Sequence, residues 1–260
     1  MEGGPGATLF FQKGLKKAID EGEIELLFQP QVDLASGRIV GAEALARWQQ
    51  PGRAEIGPEI LFEAAAQAEL SAQLSGYVQA RAVAAALAWP PGLSHLRLAL
   101  NITAGDSASP AFAAQMLAML DECGFDPRRL TVEIIETELI EDLKSAGAML
   151  AKLRASGIRL ALDDFGTGYS SLLYILALPL DTLKIDKALI REVTRSERAW
   201  IVVRSVISMA KALGLQVVAE GVESDEQLRL LREEGCDQYQ GFLCSPPVSS
   251  EELTRLVEDG

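Results

Sequence analysis

Oxygen-bearing side chains recur where short apolar segments of this sequence end. Six of them are carboxylates or amides: Glu43, Asn101, Glu133, Asp163, Asp164 and Glu220. The chain has one His and three Cys, and no two Cys have CxxC spacing, which excludes a zinc site of the Cys/His type. Because hard divalent cations prefer oxygen ligands, these residues predict a site for Mg²⁺ or Mn²⁺.

The same carboxylates predict phosphoryl chemistry. Clustered carboxylates repel one another and raise each other's pKa unless cations neutralise them, so two divalent ions are expected. Asp163 or Asp164 could bridge two ions about 3.5–4 Å apart, a spacing that suits in-line displacement at phosphorus. Lys184, the one cation of the group, could orient or deprotonate the attacking water or contact a phosphate oxygen. A purely structural ion pair with the acids is the alternative.

These side chains can meet only if the apolar segments are neighbouring strands. Eight segments are predicted as strands: 25–30, 38–46, 96–101, 130–135, 158–163, 182–185, 216–219 and 237–241. Six stretches between them have helical spacing and length: 58–70, 73–89, 111–123, 139–156, 197–213 and 225–234. Strands that alternate with helices indicate a mostly parallel sheet, and eight such units predict an α/β fold closed into a TIM (β/α)8 barrel.

The carboxyl ends of barrel strands are where such folds place their chemistry. Each predicted strand carries a polar residue at or near that end, beginning with Gln29 and finishing with Gln240. Capping-box patterns that start at Ser224 and Ser249 predict two helix starts. Four glycines predict helix ends: Gly124, Gly157, Gly214 and Gly235.

The charge balance limits the partners. The 260 residues include 24 Lys and Arg against 37 Asp and Glu, a formal net charge of −13. This balance argues against a nucleic-acid polymer as partner, because such binding depends on Lys and Arg neutralising phosphates. No apolar stretch reaches the about 18 residues needed to span a bilayer, so no membrane contact is expected. The few cysteines are typical of a reduced, cytoplasmic setting.

Beyond these general patterns, the sequence resembles the EAL family of bacterial cyclic di-GMP phosphodiesterases. The motif that names the family stands as Glu43-Ala44-Leu45, and Phe28-Gln29-Pro30 precedes it. Six further segments match in the family's order: 101–104 (NITA), 132–136 (VEIIE), 163–171 (DDFGTGYSS), 183–186 (LKID), 219–223 (AEGVE) and 240–242 (QGF). One such segment alone would be a weak signal, whereas the ordered set is specific.

The resemblance implies a role for each residue of the site. One ion would be held by Glu43, Asn101, Glu133 and Asp163, and the second by Asp163, Asp164 and Glu220. Lys184 would assist the attacking water and Gln240 would complete the ring. Glu136 would anchor the loop after Asp164 and couple it to metal binding and dimer contacts. Five further residues would line the substrate cleft: Gln29, Leu45, Arg47, Glu223 and Phe242.

The resemblance also implies a fold and an organisation of the chain. The family fold is a modified TIM barrel whose first strand runs antiparallel to the others. Residues 1–8 are expected to be a linker or tag remnant, and residues 9–260 an EAL phosphodiesterase domain. A homodimer is expected, and the domain would be joined to a sensor or diguanylate cyclase domain in a longer cytoplasmic protein.

The expected activity is metal-dependent hydrolysis of cyclic di-GMP to linear 5′-pGpG with two Mg²⁺ or Mn²⁺ ions. The alternative is a catalytically inactive cyclic di-GMP receptor or protein-interaction module, since family membership alone does not establish catalysis. An unrelated metal-dependent barrel acting on a carboxylate substrate would leave the loop sequence and Lys184 unexplained.

Overall fold

The computed structural model describes residues 14–49, 55–135, 143–166 and 171–259. Eight strands form in this part of the chain: β1 (Ile24–Asp33), β2 (Ile39–Trp48), β3 (Arg97–Ile102), β4 (Leu130–Ile135), β5 (Arg159–Phe165), β6 (Thr182–Ile185), β7 (Gln216–Ala219) and β8 (Gln238–Tyr239). Each one overlaps a strand predicted from the sequence. Short runs of β-branched and other apolar residues between Gly and polar turns account for that agreement.

The strands close into one barrel in sequence order, from β1 round to β8 and back. Neighbouring strands from β2 to β8 are parallel, whereas β1 is antiparallel to both β2 and β8. The antiparallel first strand that the family resemblance implied is therefore confirmed. One interpretation changes with it: Gln29 does not end a strand at the rim but lies in the middle of β1, opposite Glu43.

Helices surround this barrel. Those in the described residues are α1 (residues 14–21), α2 (Pro58–Gln67), α3 (Ser71–Leu87), α4 (Ala104–Ala108), α5 (Phe112–Cys123), α6 (Leu143–Ala155), α7 (Ser171–Ala177), α8 (Lys187–Glu192), α9 (Glu197–Ala212), α10 (Asp225–Glu233) and α11 (Ser250–Asp259). The six predicted helices correspond to α2, α3, α5, α6, α9 and α10. The helices α1, α4, α7 and α8 were not predicted, because about two turns or fewer give no readable apolar period, and of α11 only the start was predicted. Among the described helices, none is long and apolar enough to cross a membrane.

Helix ends follow the predicted chemistry. Ser224 and Gln227 form a complete capping box at the start of α10, and the Ser249 hydroxyl accepts a bond from the Glu252 backbone N–H at 3.2 Å before α11. The four predicted stop glycines all adopt left-handed backbone conformations: Gly124, Gly157, Gly214 and Gly235. After Gly157, Gly214 and Gly235 the next strand begins within three residues, whereas a short 3-10 helix (Pro127–Arg129) separates Gly124 from β4.

The apolar core lies mainly between the barrel and its helices. A smaller cluster joins α1, α2 and α3 to the outer face of β1 and β2 around Trp48 and Leu61. Because the apolar faces of the strands pack outward against helices, the alternating inward positions are free to carry polar side chains. Those inward positions build the site.

Candidate active site

One lysine stands at the centre of the acidic residues inside the barrel mouth. The Lys184 Nζ lies 2.7 Å from Glu133 Oε2, 2.9 Å from Asp163 Oδ2 and 2.9 Å from Glu220 Oε1. A fourth carboxylate oxygen, Glu43 Oε2, is 3.4 Å away. Only 1% of the lysine side chain is exposed, so these contacts are shielded from solvent. The strands β2, β4, β5, β6 and β7 thus bring together residues spread over more than half of the sequence.

The acids determine the protonation of this lysine. Burial alone lowers the pKa of Lys184, but the negative charges of Asp163, Glu133, Glu220 and Glu43 outweigh burial and hold the pKa well above its usual value. Lys184 is therefore a protonated donor in this arrangement. Of the roles considered from the sequence, orienting water and contacting a phosphate oxygen are those that a protonated lysine can perform.

The carboxylates do not all respond alike. Burial, followed by the charges of neighbouring acids, raises the pKa of Glu133 and Asp163 and raises that of Glu220 to about 8, despite Lys184. Burial favours the protonated form of Glu43 as well. Lys184, Gln240 and Asn101 stabilise its ionised form more strongly, so its pKa is lowered. The expectation that crowding raises every pKa in the ring is therefore wrong for Glu43, because that carboxylate accepts the most hydrogen bonds.

Asp164 is held in an unusual position beside this ring. Its backbone has a φ of +56°, which is uncommon for a residue other than Gly, and its amide donates to Asp163 Oδ1 at 2.9 Å. Burial and the charges of Asp163 and Asp186 raise the pKa of Asp164 to about 6. Asp186 itself is buried and caps α8 through the Ala188 backbone N–H at 2.8 Å. Sequence reasoning did not single out Asp186, although its place in the LKID segment was a signal.

The carboxylate oxygens form two groups with the spacing of a metal site. The first consists of Glu43, Glu133 and Asp163, and the second of Asp163, Asp164 and Glu220; within each group the ligand atoms lie within 4.8 Å of one another. Only Asp163 belongs to both groups. The described residues therefore place together the two acidic sets that the resemblance implied, and either set could hold a hard divalent ion.

Asn101 provides an independent test of that fit. Its Nδ2 donates to Glu43 Oε1 at 2.8 Å, which directs the amide toward the first acidic group. Its Oδ1 is buried and accepts no hydrogen bond within the described part of the chain. A buried amide oxygen without a donor costs free energy, and a divalent cation beside Glu43 would satisfy it. The residues present therefore fit the implied ion.

Gln240 links the two sides of the ring. Its Nε2 donates to Glu43 Oε2 at 2.8 Å and to Glu220 Oε1 at 2.7 Å. Its Oε1 accepts from Gln31 Nε2 at 3.1 Å, which fixes the orientation of the amide. The sequence interpretation missed Gln31; its position two residues after Gln29, on the same face of β1, was the available signal. Gly241 follows Gln240 at a φ of +157°, where a Cβ atom would overlap the Val222 backbone.

The predicted cleft residues lie around the mouth and differ in how deeply they are buried and in whether they pair with other residues. Leu45 and Arg47 follow Glu43 on the same face of β2, and the Arg47 Nε is 3.2 Å from Glu55 Oε1. Burial lowers the pKa of Arg47, although Glu55 and Glu43 oppose the shift. Two other cleft residues, Glu223 and Phe242, are exposed, and 67% of the Phe242 surface is accessible. Gln29 is half-buried opposite Glu43.

Two predictions fall on residues outside the described part of the chain. Glu136 lies in the segment 136–142, and four of the nine residues of the proposed loop lie at 167–170. The anchoring of that loop by Glu136 therefore stays a prediction.

Metal binding to this site should strengthen as pH rises. The pKa of Asp164 is raised to about 6 and that of Glu220 to about 8. Both carboxyls therefore retain protons at pH values where ordinary carboxyls have lost them. An ion must displace those protons, so we expect the apparent Mg²⁺ affinity to increase from below pH 6 and to level off above pH 8. Calorimetric titration across this range checks the trend. An affinity independent of pH would show that neither carboxyl contacts the ion.

Comparisons with known proteins agree with the geometry. The family model described as EAL domain matches residues 12–247. The cyclic di-GMP phosphodiesterase NbdA of Pseudomonas aeruginosa is 35% identical over 241 residues, which cover 92% of this chain and 31% of that protein. An uncharacterized protein of Mycobacterium tuberculosis, Rv1354c, is 36% identical over 94% of this chain and 39% of its own length. The chain thus spans about two fifths or less of these relatives.

Solved structures show the same fold. The structure described as PaMucR phosphodiesterase in complex with c-di-GMP has a TM-score of 0.88 and 31% sequence identity, and the match covers 94% of this chain and 99% of that one. An EAL domain protein of Listeria monocytogenes has a TM-score of 0.84 and 29% identity, covering 94% and 96% of the two chains. The barrel with its antiparallel first strand, the two acidic groups and the family match together show that this chain belongs to the EAL domain family.

Proposed function

We propose that this domain hydrolyses cyclic di-GMP to linear 5′-pGpG with the help of two divalent ions, Mg²⁺ or Mn²⁺. The observation that carries the proposal is the pair of acidic groups that share Asp163 and surround Lys184. Similar proteins support the substrate, since one curated relative is named a cyclic di-GMP phosphodiesterase and one similar structure is described as a c-di-GMP complex. All six residues expected to hold the ions carry a side-chain oxygen, and all six lie in the described part of the chain.

Two ions, when bound, would lower the pKa of the attacking water and neutralise charge on the phosphodiester. The chain's own groups then position the reactants. Lys184 donates hydrogen bonds at the centre of the ring, where it would hold the attacking water or a phosphate oxygen in line. Gln240 holds the Glu43 and Glu220 carboxylates in fixed positions by donating a hydrogen bond from Nε2 to each of them. Burial of the ring strengthens each of these interactions.

We assign the surrounding mouth to the nucleotide. Arg47 retains donors beyond its contacts with Glu55 and the Ala46 carbonyl and would bind a phosphate oxygen. Phe242 presents an exposed ring on which a guanine base could stack. Gln29, Leu45 and Glu223 would complete the cleft.

The decisive experiment is turnover of cyclic di-GMP with Mg²⁺ or Mn²⁺, followed by chromatography, with and without a chelator. We expect pGpG to accumulate with the metal and not with the chelator. Tight binding of cyclic di-GMP without pGpG would instead establish the receptor function. Neither binding nor turnover would contradict both, provided that circular dichroism shows a folded protein.

We also propose that the domain forms a homodimer, belongs to a longer cytoplasmic protein with a sensor or diguanylate cyclase domain, and extends over residues 9–260. The dimer is supported by α7, where Leu172, Leu173 and Leu176 are exposed by 59%, 58% and 77%. Leucines exposed together on one short helix are typical of an interface. Light scattering should give twice the monomer mass; a monomer at high concentration would overturn the dimer.

A further inference from the structure

A second polar cavity lies inside the barrel, at the end where its seven parallel strands begin. Six of the side chains that line it form what we call the floor cluster: Arg97, Thr131, Arg159, Thr182, Gln216 and Gln238. Each stands two or four residues before an active-site residue that lies on the same strand or directly follows it, so both point toward the barrel axis. TIM barrels usually fill their interior with branched apolar side chains. The polar floor therefore differs from ordinary barrel packing.

The two arginines of the floor cluster lack a counterion. Throughout residues 14–49, 55–135, 143–166 and 171–259, no carboxylate oxygen lies within 4.0 Å of the Arg97 or Arg159 guanidinium. Both side chains are half-buried, and they are close enough for the charge of Arg159 to lower the pKa of Arg97, after the larger effect of burial. Two like charges held together without an acid destabilise the protein unless something neutralises them.

Nearby acids do not serve that purpose, because other arginines already bind them. Asp126 pairs with Arg128 at 2.8 Å, and Asp181 pairs with Arg154 at 2.9 Å. Their charges still act on Arg97, but only over distances longer than an ion pair. The one carboxylate in the described lining of the cavity, Glu133, pairs with Lys184 at 2.7 Å instead.

Residues that line this cavity carry hydrogen-bond donors that the described residues leave unused. Arg97 donates from Nη1 to the Arg128 carbonyl at 2.6 Å, and Arg159 donates from Nη1 to Gln216 Oε1 at 2.7 Å. In the described residues, no acceptor is assigned to the other guanidinium N–H groups or to the Thr131 and Thr182 hydroxyls. A guanidinium binds oxyanions through two parallel hydrogen bonds, so this set of donors suits an anion with several oxygens.

The size of the cavity limits the ligand. Its volume is about 50 Å³, whereas one buried water needs about 10–15 Å³ by a comparable measure. The space suits an ion of a few heavy atoms and excludes a whole nucleotide. Glu133 borders the cavity from above, where Lys184 holds its carboxylate at 2.7 Å, one layer of side chains beyond Thr131. Because Lys184 already pairs with this carboxylate, Glu133 would repel an anion beside the arginines less than an unpaired carboxylate would.

From this arrangement we propose that the floor cluster binds a small oxyanion of the phosphate class between Arg97 and Arg159. The site is distinct from the active site and does not depend on the proposed hydrolysis. Bound there, the anion would neutralise the arginine pair and join β3 to β5 at the end of the barrel opposite the chemistry.

Calorimetric titration of the whole protein with inorganic phosphate tests the proposal. EDTA is present, no substrate is added and ionic strength is constant, so the result is independent of catalysis. We expect saturable binding that Arg159→Gln and Arg97→Gln each weaken by about tenfold or more, because each loses charge-assisted hydrogen bonds. Arg159→Lys, which keeps the charge but not the two-pronged geometry, should weaken binding less. Sulfate should compete with phosphate, and acetate should compete far less.

The matched control is Arg229→Gln on α10, where the arginine is exposed and pairs with Glu233 at 2.8 Å. This variant should bind phosphate as the original protein does. If a floor variant fails to fold, the arginine Nε–H signals of the unmodified protein provide a second measurement, since two of them should shift on phosphate titration. Absence of saturable binding, unchanged binding in both floor variants, or equal affinity for acetate would each overturn the proposal.

Discussion

Replacement of Lys184 by Ala should lower kcat by about 10²–10⁴-fold, with a much smaller change in the affinity for cyclic di-GMP. The ammonium lies within 2.9 Å of three carboxylates, so in the proposed reaction it would stand between the ion ligands and the reacting phosphate. Its removal takes away the positive charge at that point while leaving the cleft residues in place. Steady-state kinetics at saturating metal, together with substrate binding in EDTA, checks the split.

The same substitution separates a chemical role from a structural one. Without the ammonium, four carboxylates face one another with no cation between them, so the metal-free protein should lose thermal stability and metal should restore it. Lys152→Ala, which changes an exposed lysine on α6, is the control and should leave both quantities unchanged. If Lys184→Ala keeps its full kcat once metal has restored stability, the lysine is only an ion-pair partner.

Much of this barrel could be predicted from the sequence because its signals are local. The apolar run before Asp163 and the glycine stop at Gly157 lie within a few residues of each other, and they define β5 whatever the rest of the chain does. The direction of β1 has no such local signal, since a strand reads the same in either direction. Only the family resemblance implied it, and the pairing of Gln29 with Glu43 depends on it.

The candidate site, like the fold, could be predicted from the sequence only in part. Carboxylates at strand ends could be found one strand at a time, as Glu133 and Asp163 were. The lowered pKa of Glu43 could not, because it results from the charge of Lys184 and from hydrogen bonds donated by Gln240 and Asn101, all far away in the sequence. Gln31 was missed for the same reason: its function lies in a contact with Gln240 across 209 positions of the chain. The sequence shows which titratable residues stand at strand ends, whereas the contacts formed when the barrel closes determine the pKa of each one.

Asp163→Asn should have the largest effect on metal binding, because Asp163 is the only residue in both acidic groups. The amide keeps the volume of the side chain but has one oxygen where the carboxylate has two, so it cannot bridge two ions. We expect the metal requirement to increase by more than the about 10–100-fold typical of outer-shell changes. Turnover should fall to the level of chelator-treated protein. Metal titrations followed by activity and by calorimetry measure both effects.

Comparison with Glu43→Gln makes this prediction specific. Glu43 belongs to one group only, so its replacement should impair one ion while the second group, which contains Glu220, keeps its ligands. Asp121→Asn, at an exposed position on α5, controls for the loss of a charge elsewhere.

Stability distinguishes loss of metal from loss of fold in Asp163→Asn. Removing one negative charge from a crowded ring reduces repulsion, which offsets the lost contact with Lys184 at 2.9 Å. The melting temperature in EDTA should therefore stay close to that of the original protein, whereas the increase produced by Mg²⁺ should disappear. If Asp163→Asn still gains stability from Mg²⁺ as the original protein does, Asp163 is not a shared ligand, and the two acidic groups do not act as one centre.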